Sequence, residues 1–405
     1  MFDAIVFAGL GLAAASAAYM LLAAARVFSF RARLAEPRAG DFRPPVTMLK
    51  PLCGLEVDLA DNLRSFCRQD YGVWQLVFGV ADADDPAIAV VRALQGEFPD
   101  RDIALVVDPR IIGVNHKVSN LANMMAAAKH DILVISDSDM RVRPDYLRKV
   151  AAPFRSGQVG AVTCLYTGVP RGGIASRLGA MFINDWFLPS SLIPLVAGEL
   201  AFCFGATMAV RRGVLDRFGG FEALADHIAD DYMLGHMTAE HGYKIALAPY
   251  VVENVVHEPD LRSLFLHELR WARTIRLVQP AGYALSAITE LLPLSLAASA
   301  LVWGMTGSGS LAAAPVAIAL ALRVVLHSAS AWAFAPAGAW APWLIPVRDL
   351  LSLTVRVASF FGRKVHWRRQ VLLLPQSAAD TPLINRQQGS SLRYEKDAVS
   401  QPTDL

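Results

Sequence analysis

ILVISDSD, residues 132–139, decides the fold class. Four strand-forming residues run straight into two aspartates separated by one serine. In an extended chain the side chains at i and i+2 share a side, so Asp137 and Asp139 project together from the carboxyl edge of a sheet. Two hard oxygen ligands in that place suit Mg²⁺ or Mn²⁺, which can bridge the phosphates of a nucleotide. A solvated acidic loop after a strand has the same sequence, so the reading depends on what else reaches that edge.

Working outward, short β-rich runs alternate with helical patterns. Strands are expected at 46–49, 75–80, 103–107, 132–135 and 159–164, and helices at 61–68, 86–98, 117–128 and 144–154. That rhythm predicts an α/β fold with a mainly parallel sheet whose ligand sits at the carboxyl ends of the strands. QLVFGVADADDP (75–86) closes an earlier strand with Asp82, Asp84 and Asp85; Asp84 and Asp85 read as an N-cap cluster before the next helix, and Asp82 as a contact for a donor-rich ligand such as a nucleoside. In GVNHKVSN (113–120), Gly113 and Asn115 loosen the backbone ahead of a helix, and Lys117 places a cation where a phosphate is also welcome. HIADDYMLG (227–235) opens a helix with two adjacent carboxylates, which raise each other's proton affinity. Asp230 reads as the cap and Asp231 as a candidate general base.

The chain has 405 residues, 54% hydrophobic and only 18% charged, with a mean hydropathy of +0.37. These values point to an integral membrane protein with more than one structural unit. A formal net charge of +2 gives no electrostatic reason to expect nucleic acid as a partner. Four scattered cysteines, Cys53, Cys67, Cys164 and Cys203, contain no CxxC pair and read as buried thiols.

Residues 4–25 carry no charge and reach roughly 33 Å as a helix, enough to cross a hydrocarbon core. The basic n-region of a signal peptide is absent there, and Arg26, Arg31, Arg33 and Arg38 follow, which places the amino terminus outside and the rest in the cytoplasm. Residues 261–276, LRSLFLHELRWARTIR, form a basic amphipathic helix expected to lie flat at a membrane surface, with Glu268 on its polar side. His267, Arg270 and Trp271 fall at i, i+3 and i+4, so Arg270 can face a diphosphate while Trp271 packs on an acceptor. Arginines binding lipid headgroups account for the same helix. Residues 291–322 are uncharged around a GMTGSGS turn (304–310), as in a helical hairpin; 341–361 holds two prolines and three charges and is a poor lipid-facing span. Arg363, Lys364, Arg368 and Arg369 argue for a cytoplasmic tail, which requires an odd number of crossings. One helix and a hairpin make three, so either 341–361 is re-entrant or interfacial, or the tail lies on the other side. The expected organisation is an amino-terminal transmembrane helix (1–30), a cytoplasmic catalytic domain (43–260), an interface helix (261–279), a membrane hairpin with a third apolar segment (284–361) and a tail (362–405), polar from about Ser377.

In this order, MLKPLCG (48–54), VADADDPAI (80–88), GVNHKVSNL (113–121), DSDMRV (137–142), FGATMAVRR (204–212), ADDYMLG (229–235) and HELRW (267–271) resemble the lipid-linked glycosyltransferases of GT-A fold, most closely the ceramide glucosyltransferase family. With TCLYTG (163–168), FINDWF (182–187), GGFEALADHIADDY (219–232) and RTIRLVQPAGY (273–283), the whole looks most like the bacterial hopanoid-biosynthesis glycosyltransferases. The resemblance implies a membrane enzyme of the bacterial inner membrane that moves N-acetylglucosamine from a UDP-sugar to a lipid hydroxyl, with inversion and with Mg²⁺ or Mn²⁺. It implies that Asp82 contacts the uridine, Asp137 and Asp139 the ribose, metal and diphosphate, that Asp231 is the base, and that 205–207 shape the acceptor side. The family's last motif begins with Gln or Arg where this chain has His267. A neutral imidazole offers one donor where arginine offers five, so diphosphate contact rests more on Arg270. A ceramide glucosyltransferase using UDP-glucose is the nearest alternative. A nucleotide-sensing membrane protein or a carrier is the non-enzymatic one, suggested by Glu290 and Arg323 inside apolar stretches.

Overall fold

The structure is a computed structural model that describes residues 2–35, 42–193, 200–334, 340–362, 364–367 and 370–373. Strands β1 (Val46–Pro51), β2 (Trp74–Val80), β3 (Asp102–Val107), β4 (Ile132–Ile135), β5 (Met140–Arg141), β6 (Val159–Pro170), β7 (Met208–Arg211) and β8 (Lys244–Val256) form one sheet in the order β3-β2-β1-β4-β7-β6-β8-β5. β1 pairs in parallel with β2 and β4, β2 with β3, and β6 with β8, while β7 and β5 run antiparallel to their neighbours. The expected mixed α/β architecture is present. Helices Leu59–Cys67, Ala87–Glu97 and His116–Met124 make the crossovers between the first four strands.

β1, β2 and β4 are buried along their whole length because both faces are covered, although β1 carries Thr47 and Lys50 and β2 carries Gln75. Met48, Leu76 and Val134 pack into one core; Leu49, Val77, Leu133 and Ile135, displaced by one residue, pack into a second on the opposite face. Three strands were not expected from the sequence. β5 is two residues long, β7 lies in a segment read only as a motif, and β8 contains Pro249, which has no amide to give a ladder. The pairing of β6 with β8 slips at that place, from Thr163 opposite Leu247 to Leu165 opposite Val251. Of the four cysteines three are buried, but Cys53 is exposed, in the loop that follows β1. That loop supports the sheet edge rather than its core, which is why the reading of four buried thiols fails there.

Helices Phe2–Ala35 and Gly309–Phe334 are long and apolar enough to cross a membrane. Pro280–Thr289 and Leu291–Thr306 pass the same test only as a pair bent by 62°, so the described residues hold two candidate spans, or three with the bent pair. The expected hairpin turn is present: Leu291–Thr306 is closed by Gly307 at φ 64°, a left-handed cap that glycine adopts without strain. The segment 341–361 is not a candidate span. Its helix, Ile345–Ser359, turns its charges inward and leaves Val347, Leu350 and Val357 half exposed. Arg323 in the second candidate span makes a two-pronged pair with Asp349 (2.7 to 3.1 Å), and Glu290 pairs with Arg356 at 2.8 Å. Charges that looked like a transport path are therefore ion pairs that tie one helix to another. Arg38, Arg363, Arg368, Arg369 and the tail from Ser377 lie outside the described residues.

Candidate active site

Because β1, β2 and β4 are parallel, the loops after all three open on one edge of the sheet. Asp137 follows β4 there and Lys117 reaches it from the first turn of helix His116–Met124. The Lys117 ammonium bridges Asp137 Oδ1 at 2.8 Å and Asp230 Oδ2 at 3.0 Å. Burial works against that ammonium, but the two carboxylates outweigh it and hold its pKa above the usual lysine range. Asn115 does not loosen the chain. Its Oδ1 caps the helix by accepting from the Val118 amide at 3.1 Å, while its Nδ2 donates to the His227 carbonyl at 2.8 Å. Gly113 is needed for a close approach, since a Cβ there would lie 2.5 Å from the Ala225 carbonyl oxygen. Asp230 is not a cap either: Ala229 occupies the cap position of helix Asp230–Glu240, and the Asp230 side chain turns to Lys117 because an ammonium is a better partner than a helix end.

Asp139 sits deeper. Its Oδ2 accepts from Asn254 Nδ2 at 2.8 Å, and its Oδ1 is buried with no hydrogen-bond partner. Burial, then Glu56, then Asp137 push its pKa up to about 7. Beside it the Lys50 ammonium donates to the Asp137 carbonyl and stands 3.7 Å from the Phe66 ring centre. Burial draws the Lys50 pKa down to about 7 against the opposing pull of Asp137 and Asp139. An orphaned, costly carboxylate oxygen is what a divalent cation would relieve. Among the described residues no three His, Cys, Asp or Glu side chains are gathered as a cage, so any such ion would need ligands from a phosphate, a set that suits Mg²⁺ or Mn²⁺.

Asp231 opens its helix half-buried, with Oδ1 accepting from the Tyr232 amide at 2.8 Å. Burial and Asp230 push its pKa up to about 6, with Lys117 opposing. A Cβ added to Gly205 would lie 3.1 Å from Asp231 Oδ2 and 3.9 Å from Asp137 Oδ2, so both carboxylates face the same point beside the glycine. Tyr166 on β6 packs against Phe187, the two rings tilted by 32° with centres 4.5 Å apart. Burial, Asp231, Asp139 and Asp137 raise its phenol pKa, and Arg270 opposes them. Further along the helix Gly235 abuts the backbone that carries this site: a Cβ would lie 2.4 Å from Phe202 Cα and 2.5 Å from the Cys203 nitrogen. Gly235→Ala is expected to cost about 1–3 kcal/mol through overpacking and to displace Asp231 with the helix; an unchanged melting temperature would contradict this packing.

Asp82 stands on the same edge two strands away, exposed, its Oδ1 accepting from the Asp84 amide at 3.0 Å. Asp85, one residue ahead of Pro86 at the cap position, ties the helix start at the Ala87 amide (2.9 Å) to the Gly54 amide (2.8 Å). On helix Leu261–Val278, His267 Nδ1 lies 2.7 Å from Glu258 Oε1 and its ring 4.3 Å from that of Trp271. Trp271 in turn stacks on Phe182 at 5.7 Å, and Phe182 packs into the same apolar cluster as Tyr166. The structure thus brings Lys117, Asp137, Asp139 and Asp231 together, and Trp271 joins the Phe182 and Tyr166 cluster beside them. Sequence reasoning missed Lys50, Glu56, Asn254 and Tyr166. Each comes from a strand or loop distant in sequence, and only the quoted MLKPLCG and TCLYTG stretches touched two of them.

Residues 8–379 match the model of glycosyl transferase family 21. Ceramide glucosyltransferase 1 of Caenorhabditis elegans is 26% identical over 231 residues, 57% of this chain and 49% of that protein. Ceramide glucosyltransferase of Komagataella phaffii is 35% identical over 101 residues, 24% of this chain and 20% of that protein. The chain therefore spans about half the length of the nematode relative it matches. Among solved structures, the mannosyltransferase PcManGT from Pyrobaculum calidifontis, in complex with GDP-Man and Mn²⁺, superposes with a TM-score of 0.51 at 22% identity, over 89% of this chain and 99% of that one, a likeness of fold.

Proposed function

This chain belongs to glycosyl transferase family 21, and from that premise we propose that it transfers a sugar, N-acetylglucosamine, from its UDP-sugar to a hydroxyl of a membrane lipid, a hopanoid such as bacteriohopanetetrol. The observation that carries the reading is the convergence of Asp231 and Asp137 beside Gly205, with Asp231 held at a pKa of about 6, near the working range of a general base.

In this reaction Asp231 takes the proton of the lipid hydroxyl, and the oxygen forms a bond to the anomeric carbon from the face opposite the diphosphate. The bond between that carbon and the diphosphate oxygen breaks, UDP leaves with the electron pair, and the product is inverted. Asp139, with Asp137 beside it, would hold Mg²⁺ or Mn²⁺, which when bound neutralises charge on the diphosphate. Asp82 contacts the nucleoside, Arg270 faces the diphosphate, His267 stands at the edge of that contact, and Trp271 packs on the acceptor. Lys117, engaged by Asp137 and Asp230, fixes the orientation of the DxD loop. The catalytic unit (43–260) faces the cytoplasm of a bacterial cell, and the interface helix (261–279) brings it to the inner membrane, where the acceptor resides.

A second reading, glucose from UDP-glucose to ceramide, is favoured by the names of the relatives. Mass spectrometry of products from membranes incubated with each UDP-sugar and each acceptor decides between them; a hexosylceramide made with UDP-glucose and no hexosaminyl hopanoid would remove the first. The base role has its own test in pH. Only the ionised carboxylate accepts a proton, so kcat/KM is expected to rise about tenfold per pH unit below about 6 and to level off above it. A flat profile between pH 5 and 8 would take Asp231 out of that role.

A further inference from the structure

Helix Leu261–Val278 carries Arg270 and Trp271, and its rotation decides where both point. Glu268 lies between them and His267 in the HELRW stretch, on the side expected to face solvent, yet it is 2% exposed. Its two oxygens accept from Arg348 at 2.6 Å each, and Arg348 is also 2% exposed. The same guanidinium donates to the Leu178 carbonyl and to Ser352 Oγ, both at 3.1 Å, and stands 5.5 Å over the Phe182 ring. Phe182 stacks on Trp271 on one side and on Trp186 (4.9 Å) on another. One arginine thus grips the helix twice, by its carboxylate and by the aromatic stack that Trp271 belongs to.

A buried ion pair is weak evidence for stability, because desolvation offsets most of the attraction. Its distinctive contribution is geometric: two parallel bonds and a stacked plane fix distance, angle and rotation together. We propose that Glu268 and Arg348 are positioning residues, which set Trp271 against the acceptor. The inference rests on the transfer reading above and adds to it the device that aligns the membrane side of the site.

The test uses the full chain in membranes, with kcat and KM for donor and acceptor measured separately. Glu268→Leu with Arg348→Met removes both charges at similar volume and leaves no unpaired ion, so the fold is retained. Expected is a fall of about 100-fold in kcat/KM for the acceptor, with donor KM unchanged. Arg348→Lys, which keeps a charge but neither the fork nor the stack, is expected to fall in the same way. On a Trp271→Ala background the double substitution is expected to add little, because the arginine acts through that ring. Wild-type kinetics in the double variant would overturn the proposal, as would a loss that multiplies in full on Trp271→Ala. Loss of donor binding along with turnover in both variants would overturn it as well, since the pair would then serve the whole fold. A wild-type chain that transfers no sugar to lipid would instead strike the transfer reading itself.

Discussion

Asp231→Asn is expected to bind the nucleotide sugar as the wild type does and to turn over about 10²–10⁴-fold more slowly. The amide has the size and shape of the carboxyl, and its oxygen can go on accepting from the Tyr232 amide, where Asp231 Oδ1 is held at 2.8 Å. What changes is the other position, Oδ2, which faces the space beside Gly205. There an acceptor of protons becomes a donor, and the lipid hydroxyl meets an N–H it cannot pass its proton to. The fold has no reason to suffer, because burial and the neighbouring Asp230 already oppose the charge on Asp231. Binding of UDP-sugar by titration and turnover with lipid separate the two effects. Full activity in the variant would end the assignment of Asp231 as base, whereas loss of donor binding would make it a donor contact.

How much of this was legible in the sequence follows from the range of each interaction. The strand ending in DSD could be read because strand propensity, alternation and two acids are local, and the structure places β4 at Ile132–Ile135, where the sequence put it. Helix Asp230–Glu240 was legible for the same reason. The partners that determine what those acids do were not. Lys50 and Glu56 come from β1 and its loop, Asn254 from β8, and nothing in the local pattern of either stretch says that an Asp139 oxygen is left without a partner between them. Asp230 was misjudged as a cap because helix-start statistics describe the backbone, while the ammonium that claims it belongs to another helix. Glu268 was misjudged on the same grounds: amphipathic periodicity assigns a carboxylate to water unless a buried arginine 80 residues later answers it. The inward charges of 345–359 and the Pro249 slip in β8 are likewise tertiary facts, decided by what packs against them.

The same logic gives Asp139→Asn two opposite expected effects. Asp139 is ionised in the unfolded chain above about pH 4, but burial, Glu56 and Asp137 raise its folded pKa to about 7. A group so raised contributes stability that is present below the unfolded pKa and is lost as pH rises through the folded one. Without divalent ions, the wild-type melting temperature should therefore fall between pH 4 and pH 7, and Asp231, raised to about 6, adds to that slope. An asparagine at 139 can keep its oxygen on Asn254 and turn its amide toward Glu56, which converts a buried acid with an unpaired oxygen into a satisfied neutral group. The ligand-free variant is expected to be more stable than wild type at pH 7 by about 1–3 kcal/mol, with a shallower slope. Its affinity for UDP-sugar in the presence of Mg²⁺ or Mn²⁺ should fall steeply, because the hard anionic oxygen that the cation needs is gone. Calorimetry across pH with a chelator, paired with donor binding with and without added metal, reads both effects on the same protein. A variant less stable than wild type at every pH would mean that Asp139 is a structural anion. Undiminished metal-dependent donor binding would mean that the cation sits elsewhere on the sheet edge.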